Sequence, residues 1–188
     1  MAPTIRFAGP DDAAALAAML AALRAHEDKA GPSPEAADVA GWLGSDPPAF
    51  EALLAELDAG PRGYLAFYRA FSLFKPGPVL LVENVWVDPE ARGRGLGRAL
   101  LAAAAREAVR RGWSRLELNV AHANAEADAA YAALGFSDPG EQVRRIEDAA
   151  LREPPFPTQH GLDSGTINPT TFTNGLVLDV AQAAMAAV

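Results

Sequence analysis

The apolar positions of this chain change period several times, and each change marks an element. Thr4–Phe7 is a short β-like segment. From Pro10 to His26, Leu16, Met19, Leu20 and Leu23 recur at i, i+3, i+4 and i+7, the stripe of an amphipathic helix. Gly9-Pro10-Asp11-Asp12 reads as its start, with a proline suited to the first turn and two acids at the positive end of the dipole. Residues 27–49 hold Pro32, Pro34, Pro47 and Pro48 and read as loop, with one short helix around Glu35–Leu43. Phe50–Leu57 is open on pattern alone. Its Glu, Ala and Leu content favours helix, whereas its shortness and the turn Asp58-Ala59-Gly60-Pro61 suit a hairpin strand. Tyr64–Phe71 reads as the partner strand, and Val79–Val87, after the turn Lys75-Pro76-Gly77-Pro78, is strongly β-like.

Gly95–Arg111 is a helix with Leu96, Leu100, Ala104 and Ala108 on one side and Arg106, Arg110 and Arg111 toward its negative end. Arg115–Val120 alternates Leu116, Leu118 and Val120 against Glu117 and Asn119, a half-buried strand. Ala123–Ala133 is an alanine-rich helix that stops at Leu134-Gly135-Phe136. Gln142–Glu147 is a candidate strand, and Pro154, Pro155 and Pro157 mark a break before a Gly/Thr/Asn stretch and an apolar end, Leu176–Val188. The order β-α-β-β-β-α-β-α predicts an α/β domain over residues 1–150, followed by a tail at 151–188. The apolar end suggests that the tail packs on the domain or on another chain, as in a homodimer.

Composition narrows the function classes. The length, 188 residues, is that of one ordinary domain, and 50% hydrophobic residues suffice for a real core. With no cysteine there is no disulfide framework, thiolate metal site or cysteine nucleophile, and a reducing cytoplasm fits. Ala13–Leu23 consists of Ala, Leu and Met, but the acids before it are the wrong flank for a signal peptide. No run approaches the roughly 18 apolar residues of a membrane span. A net charge of −8 argues against nucleic acid as a partner. Arg92, Arg94 and Arg98 are a local exception, and such a cluster in an acidic chain suits one small anionic ligand.

That cluster lies in Arg92-Gly93-Arg94-Gly95-Leu96-Gly97-Arg98, between a strand and a helix, where free backbone amides and the helix dipole favour phosphate. Glycines there let an anion reach the amides and allow positive φ. A nucleotide P-loop would end Gly-Lys-Ser/Thr, and this loop ends Gly97-Arg98-Ala99. A dinucleotide fingerprint would need glycine at 98 or 100, where Arg98 and Leu100 stand. What remains is Arg-x-x-Gly-x-Gly or an ordinary turn with surface arginines. Upstream, Glu83 and Asn84 interrupt an apolar strand, and adjacent strand residues face opposite sides, so one of the two is expected to face a cavity. A carboxylate there could act as a general base, directly or through water; the alternative is a surface carboxylate.

The Arg-x-x-Gly-x-Gly loop resembles the pyrophosphate loop of the GNAT acetyltransferases. Asn124-Ala125-Glu126-Ala127, then Tyr131 and Leu134-Gly135-Phe136, resembles that family's second signature. Over roughly residues 4–148 the chain resembles the diamine (spermidine/spermine-type) branch, in Ile5-Arg6, Ala25-His26-Glu27, the Phe50–Leu57 and Gly63–Tyr68 hairpin, and Val82-Glu83-Asn84. The resemblance implies a GNAT fold, a mixed central sheet flanked by helices, with Phe50–Leu57 a strand. It implies direct transfer of acetyl from acetyl-CoA to a primary amine of a small molecule, diamine-like or amino-acid-like, without a metal.

By the same resemblance Val85, Trp86 and Val87, the loop from Arg92 through Gly97 to Arg98, Asn124, Ala127 and Tyr131 would hold the cofactor. Tyr131 would donate a proton to the departing thiolate, Glu83 would assist deprotonation of the amine, and Glu27, Glu83 and Asn84 would hold the acceptor. The branch usually reads Leu-Glu-Asp where Val82-Glu83-Asn84 stands, and Lys75 lies where an acid would suit a polycation. A monoamine or short diamine is therefore expected to outperform spermine. Two other readings stay open, a protein or peptide N-acetyltransferase and a non-catalytic coenzyme A-binding module.

Overall fold

A computed structural model describes residues 3–57, 60–121 and 124–140. The chain divides into two units, Met1–Ser137 and Asp138–Val188, and the elements below belong to the first. The candidate strand Gln142–Glu147 and the apolar end Leu176–Val188, with the dimer expected of it, lie outside the described residues.

Strand β1 (Thr4–Phe7) leads through a 3-10 turn at Pro10–Asp12 into α1 (Ala13–His26), followed by α2 (Ala36–Gly44). Then come β2 (Glu51–Leu57), β3 (Gly60–Ser72), β4 (Gly77–Val87), α3 (Leu96–Arg110), β5 (Arg115–Leu118) and α4 (Ala125–Ala133). The sheet order is β1-β2-β3-β4-β5, antiparallel except for the parallel pair β4 and β5. This is the mixed sheet flanked by helices that was expected. The short helix placed near Glu35–Leu43 is α2, and Phe50–Leu57 is indeed a strand.

Asp12 shows how a local signal fixes the first crossover. Its carboxylate accepts from the Gly9 N–H at 2.8 Å, capping the turn, and from both terminal nitrogens of Arg6 at 2.7 and 2.8 Å. Arg6 also donates to Glu56 on β2, so one guanidinium ties β1, its neighbour strand and the start of α1 together.

The core lies on both faces of the sheet. On one, Leu53, Leu65, Phe67, Leu80 and Val82 pack against Leu96, Leu100, Ala104 and Ala108 of α3. On the other, Ala52, Leu54, Tyr64, Ala66 and Trp86 lie under Leu16, Met19 and Leu23 of α1 and Val39 of α2. Fully burying each large side chain here contributes about 1.5–3 kcal/mol.

Pairing of β3 with β4 is interrupted once. Ala66 faces Asn84 and Phe67 faces Val82, so Glu83 is an extra residue on β4, a β-bulge. The bulge changes the expected alternation. Val82 and Val85 both point to the α3 face, which puts the two residues between them on the α1 face. Glu83 and Asn84 therefore share one side of the sheet rather than taking opposite sides.

Candidate functional site

The bulge coincides with a parting of strands. β4 pairs with β5 only from Val79–Val82 to Arg115–Leu118, while β4 itself runs on to Val87. Past Val82, its edge away from β3 has no strand partner among the described residues. Backbone groups of Val85 to Val87 that turn away from β3, apart from the Val87 carbonyl, which accepts from Arg92 Nε, are thus open to an extended, amide-bearing ligand. The Trp86 side chain is turned to the α1 face and is buried there.

Four residues further on, the glycine loop enters α3. Gly93 and Gly95 have φ of 73° and 79°, a left-handed conformation that glycine adopts without strain. A Cβ added at either would meet nothing within 4 Å, so the loop's outer side is open. Helix α3 begins after Gly95 with no side-chain cap, and its first backbone donor to find a partner is Ala99, bonded to the Gly95 carbonyl at 3.0 Å. The amides of Leu96, Gly97 and Arg98 remain as donors at the positive end of the dipole. Arg94 and Arg98 are exposed beside them and make no ion pair among the described residues. Arg92 is held differently, its Nε donating to the Val87 carbonyl at 3.2 Å and its guanidinium lying 5.1 Å from the Trp86 ring centre. An open cradle of amides, flanked by two unpaired cations and a free strand edge, fits a pyrophosphate joined to an amide-bearing arm.

Asn124 stands at the N-cap of α4, where its Oδ1 accepts from the Ala127 N–H at 3.1 Å. Its amide nitrogen stays available as a donor, whereas the Ala127 amide is committed to the cap. One turn later, Tyr131 is half-buried against Phe136, with ring centres 5.6 Å apart. Burial pushes the Tyr131 phenol up from its ordinary pKa, and the negative charge of Glu27 adds to that shift.

Glu27 caps the far end of α1. The preceding His26 sits edge-on to Trp86 at 5.6 Å, which fixes this end of the helix over the bulged part of β4. Its only ion pair among the described residues is an exposed 3.7 Å contact with Lys29. Glu83 is exposed, with no ion pair among the described residues, and the Asn84 Oδ1 is buried without a hydrogen-bond partner among them. Tyr64, expected from the sequence only as part of a strand, joins them. Its hydroxyl is buried and has no partner among the described residues, and burial, then Glu27, then Glu83 hold its pKa above the ordinary value. Nothing in Gly63–Tyr68 sets Tyr64 apart from its aromatic neighbours. Only the pairing of Tyr64 with Trp86 reveals it.

The end of α1 at Glu27, set over Trp86 through His26, the bulge carrying Glu83, and Tyr64 opposite Trp86 thus belong to one face of the sheet, and the charge of Glu27 acts on the phenols of both Tyr64 and Tyr131. Such a cluster can hold a cation between carboxylates and keep a proton on a phenol. A separate shallow depression between β1 and α3 is lined by Arg6, Phe7, Arg106 and Glu107, with Arg6 already engaged by Asp12 and Glu56. Among the described residues no group of three or more His, Cys, Asp or Glu could hold a metal ion, and no helix is long and apolar enough to cross a membrane.

Comparison with known proteins agrees with this geometry. The model of the acetyltransferase (GNAT) family matches residues 16–136. Thialysine N-epsilon-acetyltransferase of Bos taurus is 33% identical over 118 residues, covering 56% of this chain and 69% of that protein. The ribosomal protein bS18 alanine N-acetyltransferase of Escherichia coli is 37% identical over 84 residues, 45% of this chain and 50% of that one. Among solved structures, a ribosomal-protein-alanine N-acetyltransferase from Brucella melitensis shares the fold with a TM-score of 0.65 at 24% identity, over 78% of this chain and all of that one. The chain belongs to the GNAT acetyltransferase family and is an N-acetyltransferase.

Proposed function

We propose that the protein transfers acetyl from acetyl-CoA to a primary amine of a small molecule, with the amine held between Glu27 and Glu83. GNAT acetyltransferases use acetyl-CoA, which when bound supplies an activated acetyl thioester. The amides at the start of α3 would hold its pyrophosphate, with Arg94 and Arg98 screening the charge, and the free edge of Val85 to Val87 would hold its amide arm. Arg92 contributes by bracing the loop against Val87 and Trp86.

The observation that carries the acceptor reading is that the end of α1 capped by Glu27 is anchored, through His26 on Trp86, on the same face of the sheet that the β4 bulge gives to Glu83. An ammonium must first be attracted and then lose a proton before its lone pair can attack. Two carboxylates serve the attraction. Since an alkylammonium has a pKa of about 10, only a small fraction is neutral at pH 7, and Glu83 takes the proton directly or through water. Tyr131, kept protonated by burial and by Glu27, holds a proton for the departing thiolate.

The thialysine relative's name specifies an ε-amine, which supports a flexible aliphatic amine as the acceptor. With Asn84 and Lys75 in place of further acids, a monoamine or short diamine should exceed spermine. The second reading, an α-amine of a protein, is favoured by the ribosomal-protein relative. Thiol release from acetyl-CoA, measured across short diamines, ε-amines, spermine and N-terminal peptides, separates the two. The highest kcat/KM on a short aliphatic amine supports the proposal, and the highest on a peptide α-amine overturns it.

A further inference from the structure

Two polar atoms on the α1 face of the sheet are shielded from solvent without a partner among the described residues, the Tyr64 hydroxyl and the Asn84 Oδ1. Tyr64 as a whole is only 2% exposed. An unpaired buried polar group is destabilising, so a position that merely had to be filled would be better served by phenylalanine. Tyr64 pairs with Trp86 and Ala66 with Asn84, which makes Tyr64 and Asn84 diagonal neighbours on one face. The bulge adds Glu83 to that face, and both Glu83 and Glu27 act electrostatically on the phenol. Tyr64, Glu83 and Asn84 thus share the α1 face of the sheet at the bulge.

We infer that Tyr64 is an acceptor-binding, specificity-determining residue: its hydroxyl and the Asn84 Oδ1 accept hydrogen bonds from the N–H groups of the acceptor amine. This inference rests on the acceptor site proposed above. A primary ammonium carries three N–H groups, enough to serve the Glu83 carboxylate, the Tyr64 hydroxyl and the Asn84 Oδ1 together, while Glu27 attracts it through charge alone. An N-methylated amine of the same length brings one fewer and leaves an acceptor unsatisfied, so the arrangement selects primary over secondary amines. The neutral phenol keeps its lone pairs in place without adding charge, and so discriminates by N–H count rather than by charge.

The test is Tyr64→Phe, assayed with a short primary amine and its N-methyl counterpart, alongside the KM for acetyl-CoA and the melting temperature. KM for the primary amine should rise about 10-fold, the loss of one hydrogen bond to a charged group. Preference over the N-methyl amine should fall by a similar factor, while KM for acetyl-CoA stays put. The melting temperature should hold or rise, because the substitution removes an unpaired buried hydroxyl. Asn84→Ala should erode the same preference from the other acceptor. Unchanged preference in Tyr64→Phe, whatever happens to melting, overturns the role of Tyr64 while leaving the acceptor site standing. Absence of wild-type turnover with every primary amine overturns both.

Discussion

On the α3 face of the sheet the half-buried charges are paired: Arg111 bridges Glu51 and Glu107, and its guanidinium lies 4.9 Å from the Trp113 ring centre and 5.7 Å from that of Phe67. On the α1 face, by contrast, the Tyr64 hydroxyl and the Asn84 Oδ1 are buried without partners among the described residues, where Glu27 reaches only an exposed lysine. The same sheet separates the two. Of the buried side-chain atoms without a hydrogen-bond partner among the described residues, Tyr64 Oη and Asn84 Oδ1 sit together at the β4 bulge, while Ser33 Oγ and Arg115 Nε lie apart from it; across the sheet, Arg111, Glu51 and Glu107 are spent on holding the fold. Substitutions on the α3 face should act on stability, and those around the bulge on turnover.

The largest expected effect is a stability loss. Leu100 is wholly buried under the sheet, and Leu100→Ala should cost about 2–5 kcal/mol in urea unfolding. An unchanged kcat per folded molecule would keep the two faces distinct; a lower one would blur them. Tyr131→Phe should do the reverse, lowering turnover roughly 10- to 1,000-fold in a thiol-release assay at an unaltered melting temperature. Undiminished turnover would return Tyr131 to a packing role against Phe136.

Gly95→Asp probes where the faces meet, because α3 belongs to the core along its body and to the site at its start. A carboxylate among the free amides would oppose phosphate, and acetyl-CoA affinity by calorimetry should fall roughly 10- to 100-fold. Equal affinity would remove the loop from the site.

Glu107→Gln should cost about 2 kcal/mol by breaking charged hydrogen bonds to Arg110 and Arg111. Those arginines, against a smaller opposing effect of burial, hold the Glu107 carboxyl down to about 2, below its ordinary 4.5. A folded-state pKa below the unfolded one gives stability that is complete above pH 4.5 and drains away toward pH 2. The wild type should lose stability through that window faster than the variant, as followed by unfolding at stepped pH. Parallel curves would contradict the pairing.

The helices on this sheet were legible because each buries one stripe. Leu96, Leu100, Ala104 and Ala108 recur on one side of α3 and are all buried. β2 was not legible on pattern, and burial explains why. Its Ala52 and Leu54 face α1 while Leu53 and Ala55 face the α3 side, so the strand is apolar on both faces and shows no alternation. Only the family resemblance made it a strand. Along β4 the rule of alternation misled, since the bulge inserts one residue and turns Glu83 and Asn84 to the same side. Tyr64 escaped notice for a related reason: whether a hydroxyl finds a partner is decided by the strand opposite, not by its own segment.

The most direct test of the account is the double substitution Glu27→Gln, Glu83→Gln, read as kcat/KM for the preferred amine and as melting temperature on one preparation. Each substitution removes charge that faces the acceptor while leaving shape intact. kcat/KM should fall roughly 100-fold or more, with melting and acetyl-CoA affinity unchanged. Turnover at the wild-type level would contradict it, because the α1 face at the β4 bulge would then not be where the amine is held.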